Sequence, residues 1–286
     1  MFGDLHIHMI LDGVYYRAAI DAQKEHPLDG LVRARLSDYQ ARGVCLLRDG
    51  GDAWGVSLRA RELAGEYGID YRSPAFPIYR RGHYGAFIGR GFDTEDEYRA
   101  LLDEAGEKRA DFIKLMISGL IDFDHFGVLT EPGPEPQDIR RMIELAHAAG
   151  FAVMAHANGD RAVMAALQAG VDSIEHGAKL TDEMVKLFKE RGAFLCTTIS
   201  PALPYALFDR SITNATKRSA ELTDIDSITG SIEKGKAADL IVTAQNPLKD
   251  LKALRNLEMV ISGGRLIEHP KIKKRKQVEA ELDKFL

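Results

Sequence analysis

Residues 151–177 read FAVMAHANGDRAVMAALQAGVDSIEHG, and this stretch decides the fold. An apolar run, FAVMA, ends at His156; residues 159–169 carry a helical pattern that stops at Gly170; the strand-like run 172–175 then ends at His176. This is one compact βα unit with an imidazole at the downstream end of each strand. Glycine just past the last turn is a common helix stop, and the cadence of helix, glycine and apolar strand recurs at Gly43, Gly68, Gly150 and Gly192. Strands are predicted over 2–8, 43–48, 69–76, 111–117, 151–156, 172–175 and 193–198, and helices over 28–42, 54–67, 94–109, 136–149, 159–169 and 181–191. Alternation of this kind builds a parallel sheet. The expected architecture is an α/β fold, a TIM-type (β/α) barrel. No Gly-x-Gly-x-x-Gly follows the first strand, which disfavours a dinucleotide-binding sheet.

After Ser200 the beat stops. PALPYALFDR (201–210) is proline-rich and SITNATKRSAEL (211–222) reads as a helix. The ten residues Pro201 to Arg210 are too few for an eighth strand and its crossover. The barrel is therefore expected to be incomplete at strand eight, with a seam that another segment or subunit must cover; a homo-oligomer stays open. The domains read as a barrel over 1–222, a small C-terminal β appendage over 223–270, and a terminal helix over 271–286.

Composition narrows the function classes. With 286 residues, 45% hydrophobic and 28% charged, the chain is ordinary for a globular protein, and a net charge of -5 offers nothing to attract nucleic acid. Cys45 and Cys196 each sit inside an apolar run, as reduced core thiols do. No window has the apolar length of a membrane span, and MFGDLHIHM lacks the layout of a secretion signal. The expectation is a cytoplasmic protein with a small-molecule substrate and neither nucleic acid nor membrane as partner.

Five residues at the downstream ends of predicted strands stand out: His6 and His8 in GDLHIHM, Lys114 in DFIKLMI, His156 and His176. His6 and His8 share a strand face and can grip one cation, although a lone His-x-His is more often a core or surface pair. Asp4 shares that face and either packs in the core or orients a histidine. Strands of a parallel barrel are covered on both sides, so an unpaired Lys114 ammonium there costs several kcal/mol. It pairs with a carboxylate, or it is neutral and reacts with carbon dioxide to give a carbamate; the histidines favour the carbamate. A Schiff-base lysine would need no metal. In RRGHYGAF (80–87), His83, Arg80, Arg81 and Tyr84 are candidate substrate-binding residues, with the arginines suited to a carboxylate. His125 is a weaker loop candidate, and His26, His147 and His269 read as surface residues.

DLHIHMILDG at the start, DFIKLMISG, VMAHANG, DSIEHG, and the closing TGSIEKGKAADLIVTAQNPLKDL with MVISGGRLI together resemble the amidohydrolase superfamily. The resemblance is strongest to its metal-dependent branch of imidazolonepropionase-like and Xaa-Pro or Xaa-Arg dipeptidase-like enzymes. It implies that His6 and His8 hold one divalent metal ion, zinc by default, that His156 and His176 hold a second, and that carboxylated Lys114 bridges them. It also implies a bridging hydroxide that attacks the carbonyl of a dipeptide, an N-acyl amino acid or a cyclic amide, with Lys114 and His176 as catalytic residues. Two family features are missing from the sequence. The aspartate that ends the eighth strand has no counterpart turn here, Asp209 being the one acid in the gap, and the β-sandwich half that precedes the barrel in many relatives is absent. Loss of the aspartate motivates an alternative function, a catalytically impaired scaffold that binds metal or a small ligand.

Overall fold

The computed structural model describes residues 2–12, 15–122, 125, 128–198, 214–247, 249–272 and 274. Its body is built from parallel strands joined by helices. One sheet has the order β1 (Phe2–Ile7), β2 (Val44–Asp49), β3 (Asp70–Arg72); the other runs β5 (Arg90–Phe92), β4 (Pro77–Arg80), β6 (Ile113–Met116), β7 (Val153–Asn158), β8 (Ser173–Gly177), β9 (Phe194–Cys196). Every pairing in these two sheets is parallel, so all the strand ends that carry the candidate residues face the same way.

The long connections are helices, as parallel pairing requires: α1 (Tyr16–Asp21), α2 (Asp29–Gln40), α3 (Val56–Ala64), α4 (Glu95–Glu107), α5 (Pro136–Ala148), α6 (Gly159–Ala169) and α7 (Asp182–Arg191). Thr94 and Thr181 cap α4 and α7 by accepting from the Glu97 and Met184 amides. Gly170 and Gly192 end α6 and α7 in the left-handed region. Ile113, Leu115, Val153, Ala155 and Ile174 pack with Ile139, Ile143, Val163 and Leu167 of α5 and α6 in one buried cluster.

Three elements differ from the sequence reading. The strand expected over 69–76 breaks after Arg72, because Asp111 accepts from the Ser73 amide and Ala75 takes a φ of 64°. The chain then re-enters the second sheet as β4. Strand β5, which pairs with the far edge of β4, and helix α1 carry too weak a periodicity to be read in advance. A single closed barrel is not formed by the described residues: β1 and β9 pair only with β2 and β8 there. Their facing edges border a cleft of about 940 Å³. Pro201–Arg210, Asp209 and most of the expected terminal helix lie outside the described residues.

Towards the C-terminus, β10 (Leu240–Thr243), β11 (Leu257–Ser262) and β12 (Arg265–Glu268) form an antiparallel sheet. It lies against Gly43 and Gly68, just before β2 and β3, at the strand starts and away from the candidate site. A Cβ on Gly43, whose φ is +72°, would lie 2.0 Å from Ile241 Cγ2. Gly43→Ala is therefore expected to lower stability by about 1–3 kcal/mol through strain and overpacking. Urea unfolding checks this, with Gly150→Ala, where nothing stands within 4 Å of the added Cβ, as the strained but uncrowded control.

Candidate metal centre

The four histidines and Lys114 come together at the C-terminal ends of β1, β6, β7 and β8. Ring centroids are 5.5 Å apart for His6 and His8, 4.9 Å for His6 and His176, and 4.6 Å for His156 and His176. Lys114 is fully buried, and its Nζ has no hydrogen-bond partner among the described residues. Burial holds its pKa down at about 8 against the pull of Glu175.

Each imidazole is fixed by one ring nitrogen. His6 Nδ1 donates to Glu175 Oε2 at 2.7 Å, and His8 Nδ1 donates to the Gly51 carbonyl at 3.1 Å. Thr198 Oγ1 gives its proton to the Thr197 carbonyl and so accepts from His176 Nδ1 at 2.6 Å. His156 uses its other nitrogen, Nε2, toward the Gly119 carbonyl at 3.2 Å, which also accepts from Asn158 Nδ2. These bonds leave a lone pair on Nε2 of His6, His8 and His176 and on Nδ1 of His156. Burial, followed by the Lys114 charge, lowers His8 and His176 to about 4 and pushes His6 well down. For His156 burial is followed by His176 and then Lys114. All four rings are neutral near pH 7, the state in which imidazole binds metal.

The residues beneath the rings are as informative. Arg48, buried in β2, donates to Glu175 Oε1 at 2.6 Å, to Ser173 Oγ at 2.9 Å and to the Leu5 carbonyl at 2.9 Å. Burial alone would raise the Glu175 pKa, but Arg48 and His6 hold it well below the usual carboxylate range. Glu175 and Arg48 are absent from the sequence reading. Strict alternation puts Glu175 and His176 on opposite faces of a strand, yet His176 has a φ of 73° and Gly177 of 93°, and this twist lets both side chains reach His6. Arg48 did carry a signal, a charge inside the apolar run VCLLR. Gly50 is required by His8, because a Cβ there would lie 2.3 Å from its Cε1.

Among the substrate-binding candidates, Tyr84 reaches the centre, its ring 5.0 Å from that of His156. His83 Nδ1 lies 3.0 Å from Glu131, which also accepts from the Tyr84 and Gly133 amides; it ties the loop after β4 to the loop after β6. Arg81 pairs with Asp93 and Glu97, and Arg80 with Asp138. His125 pairs with Asp122. Asp4 accepts from the His6 amide, and burial raises it to about 6.

Among the described residues, no three His, Cys, Asp or Glu side chains already form a metal shell. The fit to a divalent ion rests instead on donor chemistry: four oriented, neutral imidazoles surround one orphaned amine that needs a partner.

No family model matches the chain. Over 162 residues it is 28% identical to ochratoxinase of Aspergillus niger, covering 55% of this chain and 31% of that protein. The matched stretch thus spans about a third of that relative's length. Over 61 residues, 21% of this chain and 16% of the other, it is 39% identical to an uncharacterized protein of Mycobacterium tuberculosis. Among solved structures, a Xaa-Pro dipeptidase with bound methionine aligns with a TM-score of 0.72 and 21% identity, covering 93% of this chain and 86% of that one. Ochratoxinase of A. niger aligns at 0.70 and 20%, covering 95% and 83%. These neighbours are of the amidohydrolase superfamily, and the chain has their fold, in agreement with the resemblance read from its motifs.

The buried Arg48–Glu175 pair gives a direct test of this framework. Glu175→Leu leaves Arg48 without its countercharge and is expected to cost about 3–5 kcal/mol. Adding Arg48→Met should recover most of that loss. Urea unfolding of the two single variants and the double variant measures the coupling; additive losses would mean that the pair is not a unit.

Proposed function

We propose that this protein is a metal-dependent hydrolase of amide bonds in small molecules, a dipeptide, an N-acyl amino acid or a cyclic amide. The observation that carries the reading is the Lys114 amine, buried near four neutral histidines and without a hydrogen-bond partner among the described residues. The dipeptidase and ochratoxinase among its structural neighbours support the hydrolase class.

In this reading His6 and His8 would hold one ion, His156 and His176 would hold a second, and a carboxylated Lys114 would supply an anionic oxygen ligand, with zinc the default metal. Bound divalent ions would supply an acidified water and polarise the scissile carbonyl. The chain's own part is to hold ligands and protons. With a pKa of about 8, Lys114 has a neutral fraction near pH 7, and its lone pair forms an N–C bond to carbon dioxide with loss of one proton. The resulting anion removes the cost of a buried ammonium. Glu175 keeps the proton on Nδ1 of His6, and Thr198 does the same for His176, so both rings stay in the ligating tautomer. His176 also lies beside His156, which in turn meets the Tyr84 ring, and in this reading it acts on the bound substrate. Among the described residues, no helix is long and apolar enough to cross a membrane. The free thiols Cys45 and Cys196 accord with a reducing, cytoplasmic setting.

The experiment is metal analysis paired with hydrolysis of a panel of N-acyl amino acids, Xaa-Pro dipeptides and cyclic amides. Turnover that chelation abolishes and zinc restores is expected; turnover indifferent to chelation would refute the proposal. Lys114→Met gives a sharper signature. It is expected to lose the bound metal and, in metal-free protein at pH 7, to raise stability. A lysine pKa lowered from 10.5 to about 8 costs the fold on the order of 3 kcal/mol while the amine is charged. The unfolded chain binds more protons between those values, so metal-free wild-type stability should rise with pH from about 8 to 10.5, and this rise should vanish in the variant. Denaturant unfolding across that range checks the sign.

A further inference from the structure

The metal centre continues outward as a row of aromatic rings. From His156 the contacts run to Tyr84 at 5.0 Å, from Tyr84 to Phe87 at 5.3 Å, and from Phe87 edge-on to Tyr16 at 6.3 Å. A row of rings that merely filled the core would be covered. Here Tyr16, at the start of α1, is 42% exposed. Arg17 lies over the Tyr16 ring at 5.6 Å and donates to its hydroxyl, which fixes the outermost ring. A row of rings that runs from a polar site to an exposed tyrosine offers an apolar binding surface next to that site. The arginines that could have favoured a charged substrate group, Arg80 and Arg81, are held by Asp138, Asp93 and Glu97.

We infer that Tyr84, Phe87 and Tyr16 form a shelf that binds an aromatic group of the amide substrate, so that the enzyme selects aryl-bearing amides over small aliphatic ones. The inference rests on the hydrolase reading for its kinetic arm only. Ring-on-ring contact favours offset or edge-to-face geometry, as in the tilted Tyr84–Phe87 and edge-on Tyr16–Phe87 pairs. An amide seated on the shelf would present its carbonyl toward His156 and His176.

The test compares two substrate pairs that differ only by an aryl group: N-benzoylglycine with N-acetylglycine, and N-acetylphenylalanine with N-acetylalanine. At least one pair is expected to favour the aromatic member about tenfold or more in kcat/KM. Tyr16→Ala and Phe87→Leu should erase that preference through KM, with kcat and the aliphatic substrates within about twofold of wild type. Phe87 also packs against the core, so Tyr16→Ala is the variant that folding cannot confound. A second arm needs no turnover: 2-naphthylacetate, which has no amide, is titrated calorimetrically into the zinc-loaded protein and should bind about five- to tenfold more weakly to Tyr16→Ala. Binding that responds in this way without hydrolysis of any amide would uphold the shelf and reject the hydrolase reading. Equal treatment of aromatic and aliphatic members, or naphthylacetate binding unchanged in both variants, would overturn the shelf.

Discussion

The Glu175 carboxylate is the point on which the rest of the structure depends. It is completely buried, and it joins β8 of one sheet to β1 and β2 of the other through His6 and Arg48. A carboxylate in that position is tolerable only because both of its oxygens are used, one by a guanidinium and one by an imidazole. The same pair of bonds serves packing and chemistry at once. Arg48 ties β2 to β8 and β1, while His6, held through Nδ1, keeps its ring beside those of His8 and His176.

The surrounding constraints follow the same logic of occupying one valence so that another is free. Backbone carbonyls of Gly51 and Gly119 hold His8 and His156, and a threonine hydroxyl holds His176. The backbone gives way where this requires it: Gly50 makes room for the His8 ring, and His176 occupies a left-handed conformation that a β-strand residue ordinarily avoids. Lys114 is the exception, a donor with no acceptor among the described residues. Strain and an unsatisfied buried charge at one locus are the mark of a site shaped for something other than stability.

Much of this was legible in the sequence, for definable reasons. His6, His156 and His176 each close an apolar run, so a parallel arrangement of the runs was enough to bring them to one end. Lys114 was legible because a buried strand has no use for an unpaired ammonium. Glu175 was hidden by the local twist at His176, which breaks the alternation that sequence reading relies on. The ion pairs of Arg81 were not legible, because Asp93 and Glu97 come from the next element and nothing in RRGHYGAF discloses them. The ring contact of Tyr16 with Phe87 joins residues about seventy positions apart, beyond any local pattern. The question of an eighth strand and of Asp209 falls on residues outside those described.

The central claim is that the four histidines and Lys114 form one metal site around a modified lysine. Diffraction at the zinc absorption edge, from crystals grown with zinc and bicarbonate, tests it most directly. The account requires anomalous peaks enclosed by His6, His8, His156 and His176, with added density on Lys114 Nζ reaching toward them. An unmodified Lys114 with no peak in that enclosure, or zinc bound elsewhere, would contradict it.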